Sequence, residues 1–310
     1  MESKGNNIRI TRLGASRPGT ETAGIALGVA SAVFFATIAI IAKLAYDTGA
    51  QPLPLLTGRF ALACLLLLAW LRVTGRRAAI GRAAIVRLLL LGGLGYGTEA
   101  TLFFLALEHA PAGVVGLIFY SYPLWTNLIG FATGIEPFRG RVMLALVLGS
   151  AGVASIFTVS NTGLLGPSLA LGAAVAVAVY FILAQVLMRG IEPAASALWT
   201  SAGATVTVGV AALISRQDFP AAAVPHAFAL AVASGISFVL LYAAIARIGS
   251  SRSAIANMFE PVATVLFAAL ILGEELTLRI AVGGALVVSA LPILVGAQRR
   301  SEVSAPADSA

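Results

Sequence analysis

Apolar residues run along this chain in blocks of about 20, separated by short polar or arginine-bearing stretches. At ~1.5 Å rise per residue, a block of that length is what an α-helix needs to cross a hydrocarbon layer. A helix at a soluble protein's surface would show an apolar stripe and a wet face. Helices apolar all round belong in lipid, or in protein surrounded by lipid. Ten spans are predicted: Gly24 to Ala45, Leu53 to Leu71, Leu88 to Leu107, Gly113 to Ile135, Val142 to Val159, Ser168 to Met188, Ala194 to Ile214, Ala227 to Ile248, Ala254 to Leu272 and Ile280 to Ala297.

The pattern repeats. Sliding the chain against itself by 138 residues aligns Pro123 with Pro261, Thr126 with Thr264, Leu128 with Leu266, Glu136 with Glu274 and Arg141 with Arg279. These are five identities in 19 positions, where chance in so apolar a chain would supply about two. Gly97 with Gly235 and Ala106 with Ala244 extend the register upstream. The expected units are a tail over 1–23, a five-helix half over 24–159, a linker over 160–167, a second five-helix half over 168–297 and a tail over 298–310. Because five is odd, the second half must enter the membrane from the opposite side. The expected fold is therefore an all-α polytopic membrane protein of two inverted five-helix repeats, an arrangement that commonly places a substrate site near the midplane.

Composition agrees: 59% of the 310 residues are hydrophobic, 11% are charged and the mean hydropathy is +0.96, against about 25% charged in soluble domains. A net charge of +7 raises the question of nucleic acid, but the basic residues are spread through short loops and gather on no one segment, so none is expected as a partner. They report orientation. One set of connections holds Lys4, Arg9, Arg12, Arg17, Arg72, Arg76, Arg77, Arg82, Arg87, Arg139, Arg141, Arg189, Arg247, Arg252, Arg299 and Arg300, and the opposite set holds Arg216 and Arg279 only. Both termini are thus expected in the cytoplasm. Cys64 is the only cysteine, which excludes an intrachain disulfide and a cysteine-based metal motif. Neither polar tail is expected to carry function, and the N-terminal one has no small-residue cleavage site after the first span.

The duplicated unit, "ALEHAPAGVVGLIFYSYPLW" and "LFAALILGEELTLR" resemble the EamA type of the drug/metabolite transporter superfamily over nearly the whole chain, from Gly24 to Gly296. One departure is "GIEPFRGR", where a second proline follows Glu136. The resemblance implies a ten-helix transporter of an inner membrane that exports small metabolites, often amino acids, or drug-like compounds, with membrane lipid and a small molecule as its partners and no cofactor.

Ionisable groups at membrane depth are costly unless they pair or face water, so each is a functional hypothesis. Arg59 lies ~10 Å from the outer end of span two and Glu99 ~13 Å from the outer end of span three. At matched depths they read either as an ion pair that fixes packing, or as an anchor for a substrate carboxylate with Glu99 as its partner or a proton carrier. Lys43, near the outer end of its span, reads as a snorkelling side chain or as a charge at the outer mouth. Glu260 lies ~12 Å from the cytoplasmic end of span nine, and its counterpart in the first half is Tyr122. Without a charged neighbour in the sequence it suits carrying a proton or meeting an amine, or else a structural hydrogen bond with a neighbour such as Asn257.

Pro123 and Pro261 each remove a backbone donor and free the carbonyl four residues earlier, at Phe119 and Asn257. Helix kinks are expected there, at the central cavity or as packing devices. Tyr96, Tyr120, Tyr122, Trp125, Tyr180, Trp199 and Tyr242 are candidates for an aromatic wall, with core packing or an interfacial belt as the alternative for each. Glu136 and Glu274, each followed five residues later by Arg141 and Arg279, read as turn devices. The glycines of "GGLGYGTEA" read as sites of close helix approach.

An enzyme needs a nucleophile with its base, or a metal. The two histidines, His109 and His226, fall at span edges and form no metal-binding pair, so no enzyme activity and no metal are expected. The leading expectation is export of an amino acid or related zwitterion by alternating access with proton coupling. The alternatives are export of lipophilic cations and a non-transport membrane protein.

Overall fold

The structure, a computed structural model, describes residues 18–76, 80–110, 112–135, 137, 140–156, 163–272, 278, 281–286, 288–289 and 293. All its regular elements are helical among these residues: α1 (Pro18–Tyr46), α2 (Pro52–Val73), α3 (Arg82–Leu90), α4 (Thr98–His109), α5 (Ala112–Phe119), α6 (Tyr122–Ala132), α7 (Gly140–Ile156), α8 (Leu165–Leu187), α9 (Pro193–Ser215), α10 (Val224–Asn257) and α11 (Phe259–Leu272). A π-helical turn, Leu91–Gly97, joins α3 to α4, and a 3-10 turn, Ala221–Ala223, precedes α10.

The helix ends follow local chemistry. α2 and α9 open on Pro52 and Pro193, where the missing N–H costs nothing. Beyond α2 the chain turns at Gly75 (φ 67°), and α9 stops at Arg216 in the left-handed region (φ 51°).

Five stretches are continuous and apolar enough to cross a membrane: Glu21–Tyr46, Pro52–Val73, Leu165–Leu187, Pro193–Ser215 and Ala221–Asn257. The protein is a multi-pass membrane protein. The other expected spans come as shorter pieces. Span three is interrupted by the π turn, and span four breaks at Tyr120–Ser121. Spans eight and nine run together in α10 across a kink at Gly249 (φ 81°, ψ 170°), and span nine breaks again at Met258 before α11. Half of the expected tenth span, residues 160–162 of the linker, residues 1–17 of the N-terminal tail and the whole C-terminal tail lie outside the described residues.

The two internal breaks obey the repeat, since Tyr120 and Met258 are related by the same 138-residue offset. Each falls just before its proline, and the carbonyls that Pro123 and Pro261 free belong to the last residues of α5 and α10. Thr126 and Thr264, a third repeat pair, donate their hydroxyls to the carbonyls of Tyr122 and Glu260 at 2.9 Å each.

Helix packing has the same twofold logic. α1 lies along α10 as α4 lies along α8, α11 packs on α1 as α5 and α6 pack on α8, and α2 meets its repeat mate α9 directly. The interior is small, with Ala, Ser and Gly at close contacts, while large apolar side chains such as Leu213 and Leu270, both 81% exposed, cover the periphery. That is the distribution expected where lipid is the solvent. α9 seats deepest against the π turn: a Cβ on Gly92 would run into the Thr200 backbone, and one on Gly203 into the Leu89 carbonyl. Glycine is required at both positions so that the two backbones can touch.

Candidate functional site

The interrupted helices meet around one cavity of about 460 Å³. α1 supplies Phe35 and Tyr46, α2 Arg59, the π turn Tyr96, and α4 Glu99 and Phe103. The wall is completed by Tyr120 at the span-four break, Tyr122 of α6, Tyr180 and Phe181 of α8, Phe238 and Asn257 of α10, and Glu260 of α11. Both halves of the repeat therefore build it.

Tyr96 organises the aromatic wall. Its ring stands edge-on to Phe60 and Phe238, with centroids 5.4 and 5.0 Å apart, and tilts against Tyr180 at 5.7 Å. Such contacts add ~0.5–1.5 kcal/mol each beyond area burial, and they hold the ring so that its hydroxyl meets α2. The π turn is the local device. Its glycine run is a weak α-helix former, and the extra residue per turn rotates Tyr96 and Glu99 to a common wall.

Arg59 is 5% exposed. Its Nε donates to the Ser234 hydroxyl at 2.5 Å, one Nη2 hydrogen donates to the Tyr96 hydroxyl at 3.3 Å, and the guanidinium carbon lies 4.9 Å from the Phe60 ring centre. Ser234 in turn donates to the Leu230 carbonyl, so its oxygen is aimed at Arg59. The packing ion pair considered for Arg59 and Glu99 is not formed. Among the described residues the ion pairs within 4.0 Å are Arg76 with Glu192 and Arg252 with Glu21. The hydroxyls of Ser234 and Tyr96 take the place of a carboxylate, and Arg59 acts electrostatically on both Glu99 and Glu260.

Glu99 is 6% exposed and forms no hydrogen bond among the described residues. Glu260 is hydrogen-bonded with the Tyr120 hydroxyl, and Asn257 with the Tyr122 hydroxyl. Asn257, weighed from sequence as a partner of Glu260, thus serves Tyr122 instead, and its Oδ1 finds no partner among the described residues.

Eight of the eleven residues weighed from sequence for the cavity lie in its wall: Arg59, Tyr96, Glu99, Tyr120, Tyr122, Tyr180, Asn257 and Glu260. Trp125, Trp199 and Tyr242 do not. Trp125 turns its indole to donate to the Ser121 hydroxyl at 3.2 Å, and Trp199 packs on the main core. Tyr242 stands one layer behind the wall, stacked on Phe238 and hydrogen-bonded to Tyr180 and, at 2.8 Å, to Thr200. The side chain of Lys43, and Glu136, Glu274 and Arg279, lie outside the described residues, while Arg141 is exposed in the first turn of α7. Sequence reasoning missed Ser234, Phe35, Phe103, Phe181 and Phe238. Ser234 left a faint signal as a hydroxyl in mid-span. The phenylalanines left none, because a phenylalanine facing lipid and one facing a cavity read alike.

The EamA-like transporter family matches residues 22–158 and again 164–296. The chain belongs to the EamA-like transporter family. Its duplicated family match covers the same two stretches that exchange contacts across the cavity. One solved crystal structure covers 91% of the chain and 99% of its own length at 19% identity, with a TM-score of 0.76, which shows a shared fold. No curated protein matches the chain.

Proposed function

We propose that this EamA-like protein is a secondary transporter that exports a small zwitterionic metabolite, an amino acid or close relative, by alternating access. Its two five-helix halves, 24–159 and 168–297, are inverted repeats in an inner membrane with both termini in the cytoplasm, as the arginine asymmetry supports. The observation that carries the substrate class is the charge layout of the cavity. A guanidinium with unspent donors and two carboxyl groups share one chamber of about 460 Å³, so a carboxylate and an amine can be met at once. Glu99 and Glu260 are the proton-coupling candidates, because each can exchange a proton without losing the cavity wall.

A volume of about 460 Å³ falls within the range of small-molecule pockets, roughly 300–1,000 Å³. The phenylalanine and tyrosine rings would hold the apolar part of the substrate. Those rings also support a second reading, export of lipophilic cations, in which aromatic faces and glutamates act without Arg59. The reading is of a carrier and not an enzyme: His109 and His226 stand outside the cavity wall.

Flux in proteoliposomes tests both. Zwitterionic, anionic and cationic compounds are offered under an imposed pH gradient to wild type and to Glu260→Gln. The proposal expects zwitterion flux that follows the gradient, with the proton-driven component lost in the variant. Flux and pH dependence unchanged in Glu260→Gln would remove Glu260 from the mechanism, and transport confined to cations would select the second reading.

A further inference from the structure

From Asn257 in the cavity wall a buried polar face continues back along α10. Ser250, Ser253 and Asn257 recur along α10 at a spacing of three and four residues and so share one side of the helix. Gln185 of α8 meets this face at Ser250, its Oε1 accepting the Ser250 backbone N–H at 2.5 Å. All four residues are at most 5% exposed. Even so, Gln185 Nε2, Ser253 Oγ, Asn257 Oδ1 and the neighbouring Ser251 Oγ find no hydrogen-bond partner among the described residues. Burying a polar group unpaired is unfavourable, and in a bundle surrounded by lipid no bulk water compensates. Alanine would serve packing better at Ser251 and Ser253. Four orphaned groups on one stretch fit a segment that is wet in another conformation.

Two contacts close that stretch. At the cavity floor, Tyr122 donates to the Ala254 carbonyl at 3.5 Å and is hydrogen-bonded with Asn257. At the far end, Arg252 pairs with Glu21 in the first turn of α1. The same guanidinium donates through Nε to the Ile248 carbonyl at 2.7 Å, beside the kink at Gly249. Gly24 and Gly28 let α1 close on this segment, since a Cβ on Gly28 would come within 2.9 Å of Ala256 Cβ.

We propose that the Gln185, Ser250, Ser253 and Asn257 face is the second half of the transport path, leading from the cavity to the membrane side where α1 begins. Tyr122 and the Glu21–Arg252 pair hold it shut in the conformation described. This rests on the transporter reading, under which that side is the cytoplasm. When α1 swings from α10, the ion pair parts, water reaches the serines, and their hydroxyls with Gln185 and Asn257 offer neutral donors and acceptors to a passing zwitterion.

Thiol accessibility tests this without any substrate. In a Cys64→Ser background, Ser253→Cys is exposed to a membrane-impermeant trimethylammonium methanethiosulfonate reagent in inside-out vesicles. Labelling should be slow, and adding Glu21→Gln should speed it about tenfold, as expected when a closed state loses roughly one decade of bias. The exchanged pair Glu21→Arg with Arg252→Glu should restore slow labelling. Val208→Cys, fully buried on α9, controls for general loosening. Ser253→Cys labelling that ignores Glu21→Gln, or that rises equally at Val208→Cys, overturns the proposal. Because the readout is chemical access, it separates from the flux assay: a failed zwitterion panel leaves the path standing, and a failed labelling result leaves the cavity's substrate class intact.

Discussion

Replacing Arg59 by glutamine should abolish the cavity's preference for a carboxylate over an amide. A guanidinium carries five N–H donors. Here one goes to Ser234 and one to Tyr96, which leaves three unspent among the described residues, enough for a side-on carboxylate. Charge-assisted hydrogen bonds contribute about 1.5–3 kcal/mol each, roughly twice a neutral bond. Turning the ligand's carboxylate into an amide keeps one acceptor and loses the charge, so the expected discrimination is about 1.5–3 kcal/mol, or roughly 10- to 100-fold. Glutamine at this position can still donate one neutral bond, and the ratio should fall toward one. The assay is binding of leucine and leucinamide, in competition with a bound reporter, to wild type and Arg59→Gln in nanodiscs. Arg59→Lys is the second arm: its point charge cannot serve Ser234, Tyr96 and a ligand at once, so it should recover only part of the ratio. A variant without Arg59 that still prefers leucine by tenfold or more would refute the role of the guanidinium as carboxylate anchor.

Gly203→Ala should lower the apparent melting temperature in detergent, by an amount corresponding to about 1–3 kcal/mol of overpacking, because its Cβ meets the Leu89 carbonyl. Gly209→Ala, whose Cβ finds Thr57 at an ordinary 3.4 Å, should leave the melting temperature within error, and equal effects would discount the glycine contact. Tyr242→Phe should cost stability through the lost hydrogen bonds to Thr200 and Tyr180 while changing leucine affinity less than about threefold; a larger affinity loss would place Tyr242 functionally in the wall. A cysteine at Gly163, in the Cys64→Ser background, should be labelled from outside intact cells, and protection there with labelling from the cytoplasm would overturn the inverted arrangement.

Glu260 shows how far the chain can be read unaided. Its depth, its break with the repeat at Tyr122 and its proline neighbour are all visible in the string of residues, and each bears on the cavity. Arg59 and Glu99 were legible as deep charges, yet their relation was not: matched depth along two helices leaves the rotation of each helix open. The Tyr96 ring shows the same limit. Its position in a glycine-rich run suggested close packing, but only the π turn, which depends on α9 pressing against Gly92 and Gly93, turns the hydroxyl to Arg59.

What is additive along the chain is legible in its residues alone: span-length apolar blocks, the 138-residue repeat with its paired prolines and threonines, the arginine asymmetry and the scarcity of charge within the spans. Those features follow from transfer free energies and helix geometry, which each segment meets alone. The tertiary structure decided what depends on two segments at once. It assigned Ser234 and not Glu99 to Arg59, sent Asn257 to Tyr122, put Tyr242 behind the wall, and brought Glu21, from a stretch that read as a polar tail, against Arg252. A side chain's partner is set by the rotation and closeness of neighbouring helices. In an apolar chain, where most residues suit either lipid or core, that rotation is fixed by a few glycine contacts and interrupted turns whose consequences appear only when the helices are packed together.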